Sequence, residues 1–125
     1  MDILQLISSS SFLVLNKDLI KILGLEETIL FSELCSEYDY WTKNDGLENG
    51  FFYSTIENIE EKTTLSAHKQ RNAINKLKEL NIIEIQIKGV PAKRYIKINE
   101  EQVIKIFNIQ LLKNLTTSCE KIERK

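Results

Sequence analysis

One stretch of the chain, residues 54–98, constrains the fold more than any other, because local signals follow one another there without a gap. Ser54-Thr55-Ile56-Glu57 has the form of a capping box, in which a hydroxyl takes the amide three residues on and the glutamate reaches back. It predicts a helix from Thr55 to about Glu61. Thr63, Thr64 and Leu65 break that helix with two β-branched residues and an apolar plug. Ser66 then caps a second helix running to Leu80, with Ala67, Ala73, Ile74, Leu77 and Leu80 as its buried stripe. Ile83, Ile85 and Ile87 alternate with Glu84, Gln86 and Lys88 as in a strand; residues 89–93 turn the chain, and Ile96 and Ile98 share one parity on the return. A short helix, a tight turn, a second helix and a hairpin make a winged helix-turn-helix. The expected fold class is α+β, mainly α with a small β hairpin, with extra N-terminal helices and a C-terminal helix.

Charge is segregated along the chain, although the formal net charge is only −1. Residues 66–97 hold eight Lys or Arg against Glu79 and Glu84, a net +6. Residues 26–61 hold ten acids against Lys43, a net −9. Such separation speaks to partners rather than to fold, and nucleic acid is the first candidate for the positive half.

At 125 residues, 42% of them hydrophobic, the chain suits one domain, residues 1–125. Residues 1–50 are assigned a short N-terminal strand and two helices, 51–99 the helix-turn-helix and wing, 100–117 a C-terminal helix and 118–125 a polar tail. Phe12, Val14 and Leu15 read as an extended run up to Asn16, which caps a helix ending at Gly24. A longer helix starts at Leu25 and Glu26; Leu30, Phe31, Leu34, Cys35, Tyr38 and Trp41 form its core side, and Glu26, Glu33, Glu37 and Asp39 are expected to face water. Residues 44–50 are a loop rich in Gly, Asn and Asp, followed by a short strand, Phe51 to Tyr53. Asn99 caps the last helix. Its Ile104, Phe107, Leu111 and Leu115, widened by Val103, Ile106, Ile109 and Leu112, exceed the stripe one small core needs. A homodimer through Phe12, Val14, Ile104, Phe107, Leu111 and Leu115 is therefore expected.

The start Met-Asp lacks a basic n-region, and no run of 18 apolar residues occurs, so neither a secretory signal nor a membrane span is expected. Cys35 and Cys119 have no metal-knuckle spacing and are read as reduced thiols of a cytoplasmic protein. No metal or other cofactor is implied. An enzyme is not expected: His68, the sole histidine, has no Ser, Cys or carboxylate partner at a motif spacing, and no glycine loop cradles phosphate. Trp41 with Tyr38 and Tyr40 suits core packing better than base stacking.

A helix-turn-helix lays the start of its second helix in the major groove, where base edges present distinguishable donors and acceptors. The candidates there are Ser66, His68, Lys69, Arg71, Asn72, Asn75 and Lys76. Arg71 suits guanine and Asn72 adenine, whereas Lys69, Lys76 and Lys78 suit phosphate. On the wing, Lys88, Lys93 and Arg94 are candidates for the backbone or the minor groove, with Lys93 and Arg94 expected at the tip. A charged helix face is ordinarily only solvated, and edge lysines ordinarily guard against strand pairing. The attached hairpin and the +6 segment favour double-stranded DNA.

The helix residues Leu65, Ser66, Gln70, Arg71, Ala73, Ile74, Lys76 and Leu77, and the wing turn Gly-Val-Pro-Ala-Lys-Arg-Tyr from Gly89 to Tyr95, resemble the winged-helix domain of phage and Firmicute replication proteins: the replisome organisers and DnaD-like primosome components. That resemblance extends over the whole chain and implies origin or single-stranded DNA association, self-association outside the helix-turn-helix, and contacts to initiator or helicase-loading proteins. It carries DNA contact onto Lys69, Arg71, Asn72, Lys76, Lys93 and Arg94. Longer members carry a second helical DNA-binding domain, which the sequence up to Lys125 does not include. The expected function is DNA binding in replication initiation. The alternatives are a transcriptional regulator of a mobile element and a protein-interaction adaptor docking through the acidic helix.

Overall fold

A computed structural model of the chain describes residues 2–7 and 11–109. The elements run α1 (Ile3–Ile7), α2 (Lys17–Leu23), α3 (Leu25–Lys43), β1 (Phe51–Tyr53), α4 (Ile56–Thr63), α5 (Ala67–Glu79), β2 (Ile83–Lys88) and β3 (Lys93–Ile98). A further helix, α6, occupies residues 100–109. The class is α+β, with one three-stranded antiparallel sheet in the order β1-β3-β2. Among the described residues no helix is long and apolar enough to cross a membrane.

Helix boundaries follow their caps. Asn16 Oδ1 accepts from the amides of Asp18 and Leu19 at 2.9 and 3.0 Å and starts α2. Gly24, at φ 104°, ends it and lets α3 begin at the next residue; a side chain there would meet the Glu27 carboxylate. Ser66 Oγ accepts from Lys69 N at 3.3 Å and starts α5. Thr64 takes a left-handed conformation, φ 65°, which stops α4 and sets the turn into α5. Asn99 Oδ1 accepts from Gln102 N at 3.3 Å at the head of α6. The short helix α1 was not expected from the sequence, and the run through Phe12 and Val14 is extended without pairing as a strand. It is tied to α3 instead, by a 2.6 Å hydrogen bond from Ser32 Oγ to the Val14 carbonyl.

The cap of α4 differs from expectation. Thr55, not Ser54, is the N-cap, its Oγ1 accepting from Asn58 N at 3.1 Å. Ser54 is buried and its hydroxyl donates to the Glu37 carboxylate at 3.1 and 3.2 Å. Glu33 and Glu37, expected in water, are 6% and 9% exposed. The reason is the position of α3, which packs against α2, α4, α5 and β1 and so is covered on more sides than one stripe allows.

The core joins Leu23 of α2, Leu30 and Leu34 of α3, Ile59 of α4, Leu77 of α5 and Phe52 and Ile96 of the sheet, all fully buried. Each contributes roughly 1.5–3 kcal/mol by leaving water. Two stripe assignments of α5 are corrected. Ala67 is exposed, and Gln70, 1% exposed, takes the core place one turn before Ala73 and Ile74. Its Nε2 donates to the carbonyls of Ile56 at 3.0 Å and Leu65 at 2.9 Å, pinning the start of α4 and the turn to α5. Along β2, Ile83 is buried, Ile85 half-buried and Ile87 63% exposed. The hairpin thus leaves the body of the domain as it approaches its tip.

Candidate nucleic-acid interface

Helix α5 is held at three points, by Gln70, Lys76 and Lys69. Gln70 fixes its start. At its other end, Lys76 Nζ donates to the Leu23 carbonyl at 2.6 Å, one of the carbonyls left without an intrahelical partner at the end of α2. Lys69 Nζ, two turns earlier on the same side, lies 3.5 Å from Glu26 Oε1. Lys76 thus ties α5 to the end of α2 while its side chain stays exposed.

The remaining outward stripe is His68, Arg71, Asn72, Asn75 and Lys78, all exposed. Asn72 Nδ2 approaches His68 Nε2 at 3.4 Å across one turn. Arg71 and Lys78 enter no ion pair among the described residues. Ser66 is half-buried, with its hydroxyl spent on the cap.

On the hairpin, Lys88 and Lys93 are cross-strand partners immediately behind a four-residue tip. Lys88 Nζ lies 4.9 Å from the Tyr95 ring centre and 3.5 Å from Glu48 Oε2, and Lys93 Nζ lies 5.6 Å from the Tyr53 ring centre. Both ammonium groups thus lie over the outer face of the sheet. Arg94 lies near the tip end of β3, paired with Ile87 one residue behind Lys93, but it is half-buried rather than open. Its Nε donates to the Ser54 carbonyl at 3.2 Å, and its Nη2 is buried without a hydrogen-bond partner. Burial lowers the Arg94 pKa, while Glu37 and Glu57 oppose that shift. Burial pushes the Glu37 carboxyl up to about 7, the Ser54 hydrogen bond working against it. Ser54, Glu37 and Arg94 together join β3 of the wing to α3.

Of the residues assigned to self-association, Phe12, Val14, Ile104 and Phe107 line one groove of about 850 Å³ between α3, α6 and the extended N-terminal run. Leu111 and Leu115 lie outside the described residues. Cys35 also borders this groove, and burial raises its thiol to about 11, away from reactive thiolate chemistry. No group of three or more His, Cys, Asp or Glu able to hold a metal ion occurs among the described residues.

Sequence reading missed the core place of Gln70, the bond of Ser54 to Glu37 and the rings beneath Lys88 and Lys93. Gln70 had a signal, since it precedes Ala73, Ile74 and Leu77 by three, four and seven residues, which is core spacing. The pairing of Tyr53 with Tyr95 across β1 and β3 needs the sheet order, which no local pattern carries. No protein-family model, no curated protein and no solved structure matches the chain.

Proposed function

We propose that the chain is a winged-helix DNA-binding module of a phage or bacterial replication-initiation protein, with α5 as recognition helix and the β2–β3 hairpin as wing. The observation that carries this reading is the outward stripe of α5: Arg71 and Lys78, without ion pairs among the described residues, alternating with His68, Asn72 and Asn75. Two helices joined by a tight turn and followed by a β hairpin support the winged-helix architecture, as does the strand order β1-β3-β2. The replication role, and contact with initiator or helicase-loading proteins, rest on the sequence resemblance. A cytoplasmic location goes with them.

In this reading Arg71 and Asn72 read base edges, and Lys69, Lys78, Lys88 and Lys93 meet phosphates, the weak surface pairs of Lys69 and Lys88 yielding to DNA. Four phosphate contacts per chain give a log–log salt slope of roughly −4, and a dimer roughly twice that. Fluorescence anisotropy of a labelled duplex at several salt concentrations measures it. Absence of binding at low salt refutes the reading. Self-association through the Phe12, Val14, Ile104 and Phe107 groove belongs to the same proposal, and light scattering of wild type and Phe107→Asp tests it.

A further inference from the structure

The tip of the β2–β3 hairpin is chemically unlike the turns that usually close hairpins. Residues 89–92 are Gly, Val, Pro and Ala, without charge or side-chain hydrogen-bonding group, where Asn, Asp and Ser are the common choices. Val90 is 103% exposed, as open as an isolated residue, and Pro91 and Ala92 are also exposed. Ile87, one pair behind Lys88 and Lys93, adds a second open apolar side chain. This knob lies ahead of the core, so it adds nothing to packing.

Positive charge stands directly behind it. Lys88 and Lys93 face each other across the hairpin, and their ammonium groups are drawn back over the Tyr95 and Tyr53 rings at 4.9 and 5.6 Å. The tip is thereby left apolar while two cations flank its base. Contacts of this kind at exposed sites are weak enough to be exchanged for phosphate contacts. Glu48, 3.5 Å from Lys88, would have to give way; Glu84, paired with Lys97 farther from the tip, is a second acid of this face.

An apolar wedge between two cations fits one feature of duplex DNA, the minor groove with a phosphate strand on each side. The groove is about 6 Å wide, so what enters it is the apolar side chains of the tip rather than the full width of the hairpin. Proteins that insert apolar side chains there unstack a base step and kink the duplex by some 20–90°. We propose that Val90 and Pro91 form such a wedge, with Lys88 and Lys93 on the flanking phosphates, so that the domain bends the DNA it binds. This rests on the DNA-binding reading above and adds an activity to it.

The probe is a duplex of about 24 base pairs, a little over two helical turns, with a central A·T-rich run that contains flexible TA steps. It carries a donor and an acceptor dye at its ends and the fluorescent adenine analogue 2-aminopurine at the central TA step. Wild-type protein is expected to bring the ends together and brighten the 2-aminopurine as the step unstacks. Val90→Ser, at a position with no packing role, should keep the fold and the salt slope, bind within roughly tenfold of wild type, and lose both signals. Lys88→Ala with Lys93→Ala should instead flatten the salt slope by about 2. Full bending and brightening by Val90→Ser overturn the wedge, as does wild-type binding with neither signal; both outcomes leave the DNA-binding reading standing. Failure of wild type to bind any duplex at low salt removes that reading and the wedge with it.

Discussion

The buried carboxyl of Glu37 makes the stability of this domain depend on pH in a direction opposite to the usual one for acids. Glu37 is 9% exposed, with Ser54, Asn58 and Arg94 around it and the Glu33 carboxylate on the same helix. Glu57 acts on the facing Arg94, and Lys62 of α4 on Glu33, whose pKa burial also raises. Burial lifts Glu37 from an ordinary 4.5 to about 7. Between these values the folded protein keeps a proton that the unfolded chain has released, so raising the pH favours unfolding. The stabilising contribution is complete below about 4.5 and is lost as the pH rises through about 7. At about 1.4 kcal/mol per pH unit, the gap corresponds to roughly 3 kcal/mol, a large part of the 5–15 kcal/mol typical of a small domain.

Glu37→Gln isolates this contribution. Glutamine has the shape of the protonated acid and can still accept from Ser54, and Arg94 faces a neutral group in both proteins at low pH. Urea unfolding near pH 5 should give the two proteins similar midpoints. Near pH 8.5 the variant should be the more stable by roughly 2–3 kcal/mol, which is a midpoint shift of about 1–3 M for a urea dependence of about 1–3 kcal/mol per molar. Equal midpoints across the whole range, or a wild type that gains on the variant as pH rises, refute the burial argument.

Two further substitutions test what holds α5 in place. Gln70→Ala removes both hydrogen bonds to the Ile56 and Leu65 carbonyls from a sealed position; urea unfolding should show a loss of roughly 2–4 kcal/mol, and a loss under 1 would mean that the turn is held by apolar packing alone. Ser66→Ala deletes the cap hydrogen bond to Lys69 N and should cost about 1 kcal/mol by the same measurement, with Ser66→Asp restoring most of it.

Much of the architecture was legible because it is written locally. Asn16, Ser66 and Asn99 cap helices as read, and the alternation of Ile83, Ile85 and Ile87 and the loop before Phe51 correspond to elements at those places. The errors gather where a polar residue sits at core spacing. Glu33 and Glu37 stand three residues beyond Leu30 and Leu34, and Gln70 three before Ala73, so periodicity alone places them inside while residue type places them outside. Residue type is the ordinary guide, because an unpaired buried acid is costly. It failed here because the missing partners, Ser54, Arg94 and two backbone carbonyls, arrive from other elements.

The same limit applies to the positive charge, and it changes what the +6 segment means. A sequence count treats Lys76 and Arg94 as equal to Arg71 and Lys78. Yet Lys76 closes the end of α2 through the Leu23 carbonyl and Arg94 is half-buried beside Ser54 and Glu37. Backbone carbonyls are invisible in a charge tally, although at a helix C-terminus they attract cations. Subtracting these two leaves Arg71 and Lys78 on the outward face of α5, Lys69 at its edge, and Lys88, Lys93 and Lys97 over the outer face of the sheet. The remaining cations thus fall into two groups, one along α5 and one over the outer face of the sheet. The count of +6 therefore overstates the free positive charge of α5 and the hairpin, because two of its eight cations are engaged by groups of the fold itself.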